Sequence, residues 1–309
     1  MPQLTAQRPK VVTLDRICDA LDSTGRNYVV DVYNSRRTVM VPGETATSYI
    51  DLVTGVLRVR SVWRGVIDAH QQAELFPYIS HHNREAVGPR AVVNDHGDHF
   101  HICTQTGLQV AAGMGNQQLE ASLLLSLIML ERFTSRLESD FAWTPPPNKY
   151  FFHQNLLKKQ HVLQMPVGFS DNSTTHPVDA DFVEAACGRL QLRVQRDGTV
   201  FRLLDSSQGT VLRLFGEDTW MSVSTLVELP RPASAEDLFL AVNGSNWYNC
   251  LGTTSIMGMR NHPYLRFDYL ISTGEGLSER QLDTQILVGM GVGADLFSHF
   301  VNKHPRLFG

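Results

Sequence analysis

The chain has 309 residues, 42% of them hydrophobic and 19% charged, with a formal net charge of −4 and a pI near 6.3. That is room for about two domains with sizeable cores. It argues against a nucleic-acid partner, which needs a basic footprint, because the Lys/Arg runs are no longer than pairs such as Lys158-Lys159.

The longest apolar stretch, 123–130, is broken by Ser126 and falls far short of the roughly 20 residues that span a bilayer. The first residues, MPQLTAQRPKVV, lack the apolar region of a secretory signal. A cytoplasmic protein with no membrane association is expected. Cys18, Cys103, Cys187 and Cys250 fall in no CxxC or CxxH pair. They read as free thiols in a reducing compartment, not as a zinc site or a disulfide framework.

In chain order, Leu14, Ile17, Cys18 and Leu21 recur at helical spacing and predict a first helix. Strands follow at 27–34, 37–42, 47–53 and 56–67, rich in β-branched residues and bounded by Pro42-Gly43 and Gly55. A second helix is expected over 68–85, a hairpin over 90–95 and 99–105, and a long helix over 116–139. Three prolines at 145–147 then stop the helix, and the stretch 150–163 has the pattern of a short helix or an arm.

The series then repeats. Phe182, Val183, Ala186, Cys187 and Leu190 predict a helix, followed by strands at 199–205, 210–216 and 220–229. A helix over 234–242 starts at Ser234 as N-cap, with Glu236 and Asp237 in its first turn. A hairpin over 254–259 and 264–272 precedes a last helix over 278–302, where Ser278 and Gln281 fit a capping box.

Asn83 and Asn246 lie 163 positions apart, as do Leu119 and Leu282, while residues 56–63 overlay 218–225 at an offset of 162. The chain therefore reads as a tandem duplication of an α+β unit: a first module at 11–142, a Pro-rich linker at 143–176 and a second module at 177–309. The order of elements, an asparagine after the second helix (Asn83, Asn246) and a Gly-x-Gly before the last (Gly113-Met114-Gly115, Gly274-Glu275-Gly276) resemble the YbjN family, in the tandem form found in actinobacteria. Members of that family are labelled candidate regulators of bacterial sensory transduction, and its fold resembles type III secretion chaperones. The resemblance implies a non-enzymatic, protein-binding or regulatory role with no cofactor and no catalytic residues. It also implies that modules pair, within one chain or in a homodimer.

Several residues invite closer reading. His96, His99 and His101, with Asp98, have spacing that can ligate a transition metal, but Asn261, Tyr264 and Arg266 stand near the equivalent places of the second copy, and a solvated hairpin tip explains the cluster without metal. His81, His99 and His101 converging between the modules is the alternative, a small-ligand site or an enzyme. Asn83 and Asn246 are expected to end helices in the left-handed region, a structural role. Gly289 and Gly293 share a helix face and suggest close approach of another backbone; the expected neighbour is another helix, the bulkier 123–130 stretch of the first copy or a helix of a second chain. Trp247 and Tyr248 read either as an exposed partner anchor or as a plug in the module's own core.

Overall fold

The computed structural model describes residues 8–33, 36–141, 174–206, 208–230, 233–259 and 262–308. The expected linker helix or arm lies outside the described residues.

The first module opens with α1 (Leu14–Ser23), whose N-cap Thr13 accepts from the Arg16 amide. Four strands follow, β1 (Val29–Tyr33), β2 (Arg36–Pro42), β3 (Ala46–Val53) and β4 (Val56–Trp63), then the two-residue β5 (Ile67–Asp68). Helix α2 (Gln72–Glu85) starts later than expected, because Asp68 caps a short 3-10 turn at Ala69–Gln71 instead. The hairpin β6 (Arg90–Asp95) and β7 (His99–Gln109) leads to α3 (Asn116–Asp140).

The second module repeats this order: α4 (Ala180–Arg189), β8 (Val194–Asp197), β9 (Val200–Leu203), β10 (Gly209–Phe215), β11 (Trp220–Glu228), α5 (Ala235–Tyr248), β12 (Thr253–Met259), β13 (His262–Ser272) and α6 (Glu279–Lys303). Both sheets are antiparallel. The first runs β1-β2-β3-β4-β7 with β6 and β5 also on β7; the second runs β8-β9-β10-β11-β13-β12. Position for position these are the same strand order. The fold is α+β, with two antiparallel sheets and their helices.

Two elements differ from the sequence reading. Strand β8 carries little apolar signal, since three of its four residues are exposed on a sheet edge. Helix α5 runs to Tyr248 rather than stopping near residue 242. A glycine in a helix costs about 1 kcal/mol, and Gly244 does not end this one because Val242, Ser245 and Asn246 around it are buried.

One face of each sheet carries a long helix. Leu119, Leu123, Leu127 and Leu130 share one side of α3 and close a core with Ile17, Leu21, Ile50, Leu57 and Val59. In the second module Leu282, Ile286, Leu296 and Phe300 of α6 do the same over Leu212, Phe267 and Tyr269. A Cβ on Gly289 would come within 2.6 Å of Val223 and 2.9 Å of Tyr269, and one on Gly293 within 2.6 Å of Thr225. The glycine face therefore lies on β11 and β13 of its own sheet. It does not meet another helix, as the sequence reading expected; the close approach is helix to strand.

The turn before each last helix also differs in register. Gly113 and Gly276, not the first glycines of the two Gly-x-Gly motifs, are equivalent: both have positive φ (77° and 71°), and a Cβ on either would run into the backbone of Lys10 or His176. Those two residues bridge to Met114 and Leu277. Gly115 accordingly matches the N-cap Ser278. In β11 the offset from β4 is 164: Val56 pairs with Gln109, and Trp220 pairs with Ser272, 163 residues further on. The slip from 162 is absorbed in the longer β10–β11 turn.

Asn83 and Asn246 are inside their helices and have no left-handed backbone. Each is a buried clamp. The Asn83 carboxamide donates to the Ala91 carbonyl at 2.8 Å and accepts from the Ala91 amide at 2.7 Å. Asn246 does the same to Thr254 at 3.0 and 2.7 Å. A side-chain amide thus takes the place of a neighbouring strand at the start of β6 and β12, satisfying groups that burial would otherwise leave unpaired.

Candidate functional site

One polar side chain shared by the two copies meets its counterpart where the modules pack together. Gln118 and Gln281, 163 positions apart, are each the third residue of a helix. Each Oε1 accepts from the backbone amide of its own N-cap, Gly115 at 2.7 Å and Ser278 at 2.8 Å. Each Nε2 crosses to the other module, Gln118 to the Gly276 carbonyl at 2.6 Å and Gln281 to the Gly113 carbonyl at 2.8 Å. The two amides also bond to one another at 3.3 and 3.1 Å. Such a reciprocal pattern is that of a two-fold interface, realised between two halves of one chain.

Phe76 of α2 and Phe239 of α5, again 163 apart, stack with centroids 3.9 Å apart. Other contacts depart from the symmetry. Asn243 donates to and accepts from the backbone of Val93, both at 2.8 Å. Trp247 adds an indole bond to the Val93 carbonyl at 3.1 Å and packs among Tyr49, Val62, Val92 and Cys103. Trp247 is therefore seated on the first module of its own chain. Tyr248 stacks on His299 of α6, with centroids 3.4 Å apart. Gln105 donates to the Asn246 carbonyl at 2.7 Å, and a side chain at Gly107 would collide with the Cys250 carbonyl.

Two clefts run along this contact. One is lined by Gln109, Gln118, Gln281 and Gln285 and by Tyr269. The other is lined by Pro89, Leu108, Leu125, Met129, Trp220 and Leu270, with hydroxyls of Ser122, Ser126, Ser272 and Thr106 and no titratable side chain.

The histidines line neither cleft. His81 is on the exposed side of α2, 3.1 Å from Arg84. His96, His99 and His101 gather at the β6–β7 hairpin with ring centroids 4.9–5.1 Å apart. There His99 is 2.5 Å from Asp98 and His96 is 2.9 Å from Asn94. Among the described residues no three His, Cys, Asp or Glu side chains are placed to hold a metal ion. His82 is tied to the Pro89 carbonyl at 2.7 Å and lies against Phe133; burial pushes its pKa down to about 4. The four cysteines are free thiols. Burial pushes Cys103 up to about 12 and Cys187 up to about 11, the opposite of what activates a nucleophilic thiol.

The sequence reading missed the glutamine pair and a set of buried arginines, Arg58, Arg60 and Arg90. A signal for the second was present: arginines two apart in 56–63 fall on one face of an otherwise apolar strand. None was available for the first, because the partner of each amide lies 163 residues away.

No family model matches the chain, and no curated protein matches it significantly. Among solved structures it is similar to YbjN from E. coli, described as a candidate transcription regulator. That match covers 42% of this chain and 96% of the other, at 15% identity and a TM-score of 0.38. Among the described residues no helix is long and apolar enough to cross a membrane.

Proposed function

We propose that the chain is a non-enzymatic, chaperone-like binding protein that acts in the cytoplasm as a regulator, in signal transduction or stress control, by holding a protein partner. The observation that carries this reading is the intermodule cleft under Trp220 and Leu270, walled by apolar side chains and hydroxyls without an acid, a base or a thiol. Such a surface favours apolar side chains and offers nothing to move a proton. The shared polar residues, Asn83, Asn246, Gln118 and Gln281, are spent on holding the fold and the pairing.

A photocrosslinking residue placed at Met129 tests this directly. In cells it is expected to trap one defined polypeptide, and the substitution Leu270→Lys on the same chain, with helix content checked by circular dichroism, is expected to abolish that product. Equal trapping by both chains, or no trapped polypeptide, rejects the reading.

A further inference from the structure

The face of the first sheet turned toward the second module is basic and buried. Arg58 and Arg60 alternate on β4; Arg60 lies opposite Gln105 of β7, and Gln105 lies opposite Arg90 of β6. The three arginines are 4%, 5% and 3% exposed. Among the described residues one carboxylate pairs with them: Asp51, opposite Arg58 in register, holds Arg58 through both oxygens and stands 3.6 Å from Arg60. Outside the described residues the sequence has a single side-chain carboxylate, Asp171. Even with it, three guanidinium charges exceed the carboxylates.

Buried charges are ordinarily paired, because an uncompensated one is strongly destabilising. Arg90 makes the imbalance specific. Its Nε and Nη2 atoms are both buried and without a hydrogen-bond partner. Those two N–H groups point the same way and form the fork with which arginine grips two oxygens at once. Arg58 uses the same two atoms on Asp51. Burial pushes Arg90 down to about 10, with the Arg58 charge acting in the same direction.

The fold does not require this set. By strand register the second module has Ser222, Ser224 and Thr253 where the first has Arg58, Arg60 and Arg90. There Ser224 donates to Asp268, the counterpart of Gln105, at 2.7 Å. Two copies of one architecture thus differ here in charge and not in shape.

We propose that Arg90, with Arg58 and Arg60, forms a site for a phosphate group at the contact between the modules, in which the Nε/Nη2 fork of Arg90 binds two of its oxygens. The unpartnered fork of Arg90 fits two oxygens of a phosphate group, and the guanidinium groups of Arg58 and Arg60 on the same sheet face favour an anion there. The loop carrying Cys250 covers the same face, so occupancy would tighten the pairing of the modules. This goes beyond the binding role proposed above and stands independently of it.

The test is the melting temperature of the full chain in low-millimolar inorganic phosphate against sodium chloride at equal ionic strength, with glycerol 3-phosphate as a second arm. A saturable rise on the order of a few degrees is expected in phosphate. A response to the ester as well identifies a phosphorylated metabolite as the ligand class, and a response to inorganic phosphate alone identifies the free anion. Arg90→Met should melt at or above the parent in chloride and lose the rise. Arg90→Lys, which keeps the charge but not the fork, should show a weakened one. No saturable response of the parent overturns the proposal, whatever the variants do, and so does a full response in Arg90→Met.

Discussion

The last helices of the two modules meet the same sheet with opposite distributions of volume. In the first, Ser126 and Leu130 of α3 stand where α6 has Gly289 and Gly293, 163 positions on. In the facing strands the first module has Thr106 and Ser61 where the second has Tyr269 and Thr225, by the registers of β7 and β13 with β4 and β11. The ring added at Tyr269 and the methyl added at Thr225 are together offset by the side chains removed at Gly289 and Gly293, so that these four positions carry the same number of side-chain heavy atoms in either module. Interiors are packed closely enough that volume must be conserved locally. A duplicated fold can therefore drift in sequence while the sum over the helix–strand layer is held. Glycines that look like a seat for another helix in one copy are half of an exchange visible only against the other.

The comparison breaks most sharply where the copies are chemically identical. Asn83→Ala and Asn246→Ala each remove a carboxamide that satisfies one buried backbone N–H and one buried C=O. Leaving those groups unpaired should cost on the order of 2–4 kcal/mol in either module, read as a shift of the denaturant midpoint at constant slope. Similar losses in both copies are expected. A loss below about 0.5 kcal/mol in one of them would show that its strand start finds another partner and that the clamp is not common to the fold.

Next in size is the exchange itself. Gly293→Leu puts into α6 the residue that α3 has at this position, but without the smaller strand residue that accommodates it, since Thr225 is already in contact distance of a Cβ. Overpacking should cost about 1–3 kcal/mol. Pairing it with Thr225→Ser restores the combination found in the first module and should recover part of the loss. Additive losses in that double variant would mean that the two positions do not share one volume.

These cases also mark how far the sequence could be read. Periodicity identified nearly every element and the duplication, because one buried face per helix or strand leaves a pattern in the chain. Capping at Ser278 and Gln281 was readable because both groups lie within one turn. Strand β8 escaped because an exposed edge buries too little to leave a pattern. Asn83, Gln118 and Arg90 were visible as residues but not as contacts: an amide in a helix has the same local signature whether it caps, clamps or crosses to another module. The helix partner expected for Gly289 and Gly293 failed for the same reason, since a small-residue face reports that something is close, not what it is.

The smallest expected effect sharpens that last point. Gly291 lies between the two seated glycines in α6, yet a Cβ there would meet nothing within 4 Å, whereas one on Gly289 would press on Val223 and Tyr269. Helical geometry separates them: residues two apart project from different sides. For Gly291→Ala only backbone entropy and helix propensity remain, and both favour alanine, by about 0.4–1 kcal/mol. For Gly289→Ala the same gain is opposed by a clash with β-branched and aromatic side chains that cannot swing away. The two substitutions, made in one helix and measured by the same denaturant melts, are expected to have opposite signs. If Gly289→Ala stabilised the chain as much as Gly291→Ala, the helix would ride farther from β11 and β13 than this packing requires, and the exchange of volume between Tyr269 and Gly289 would lose its physical basis.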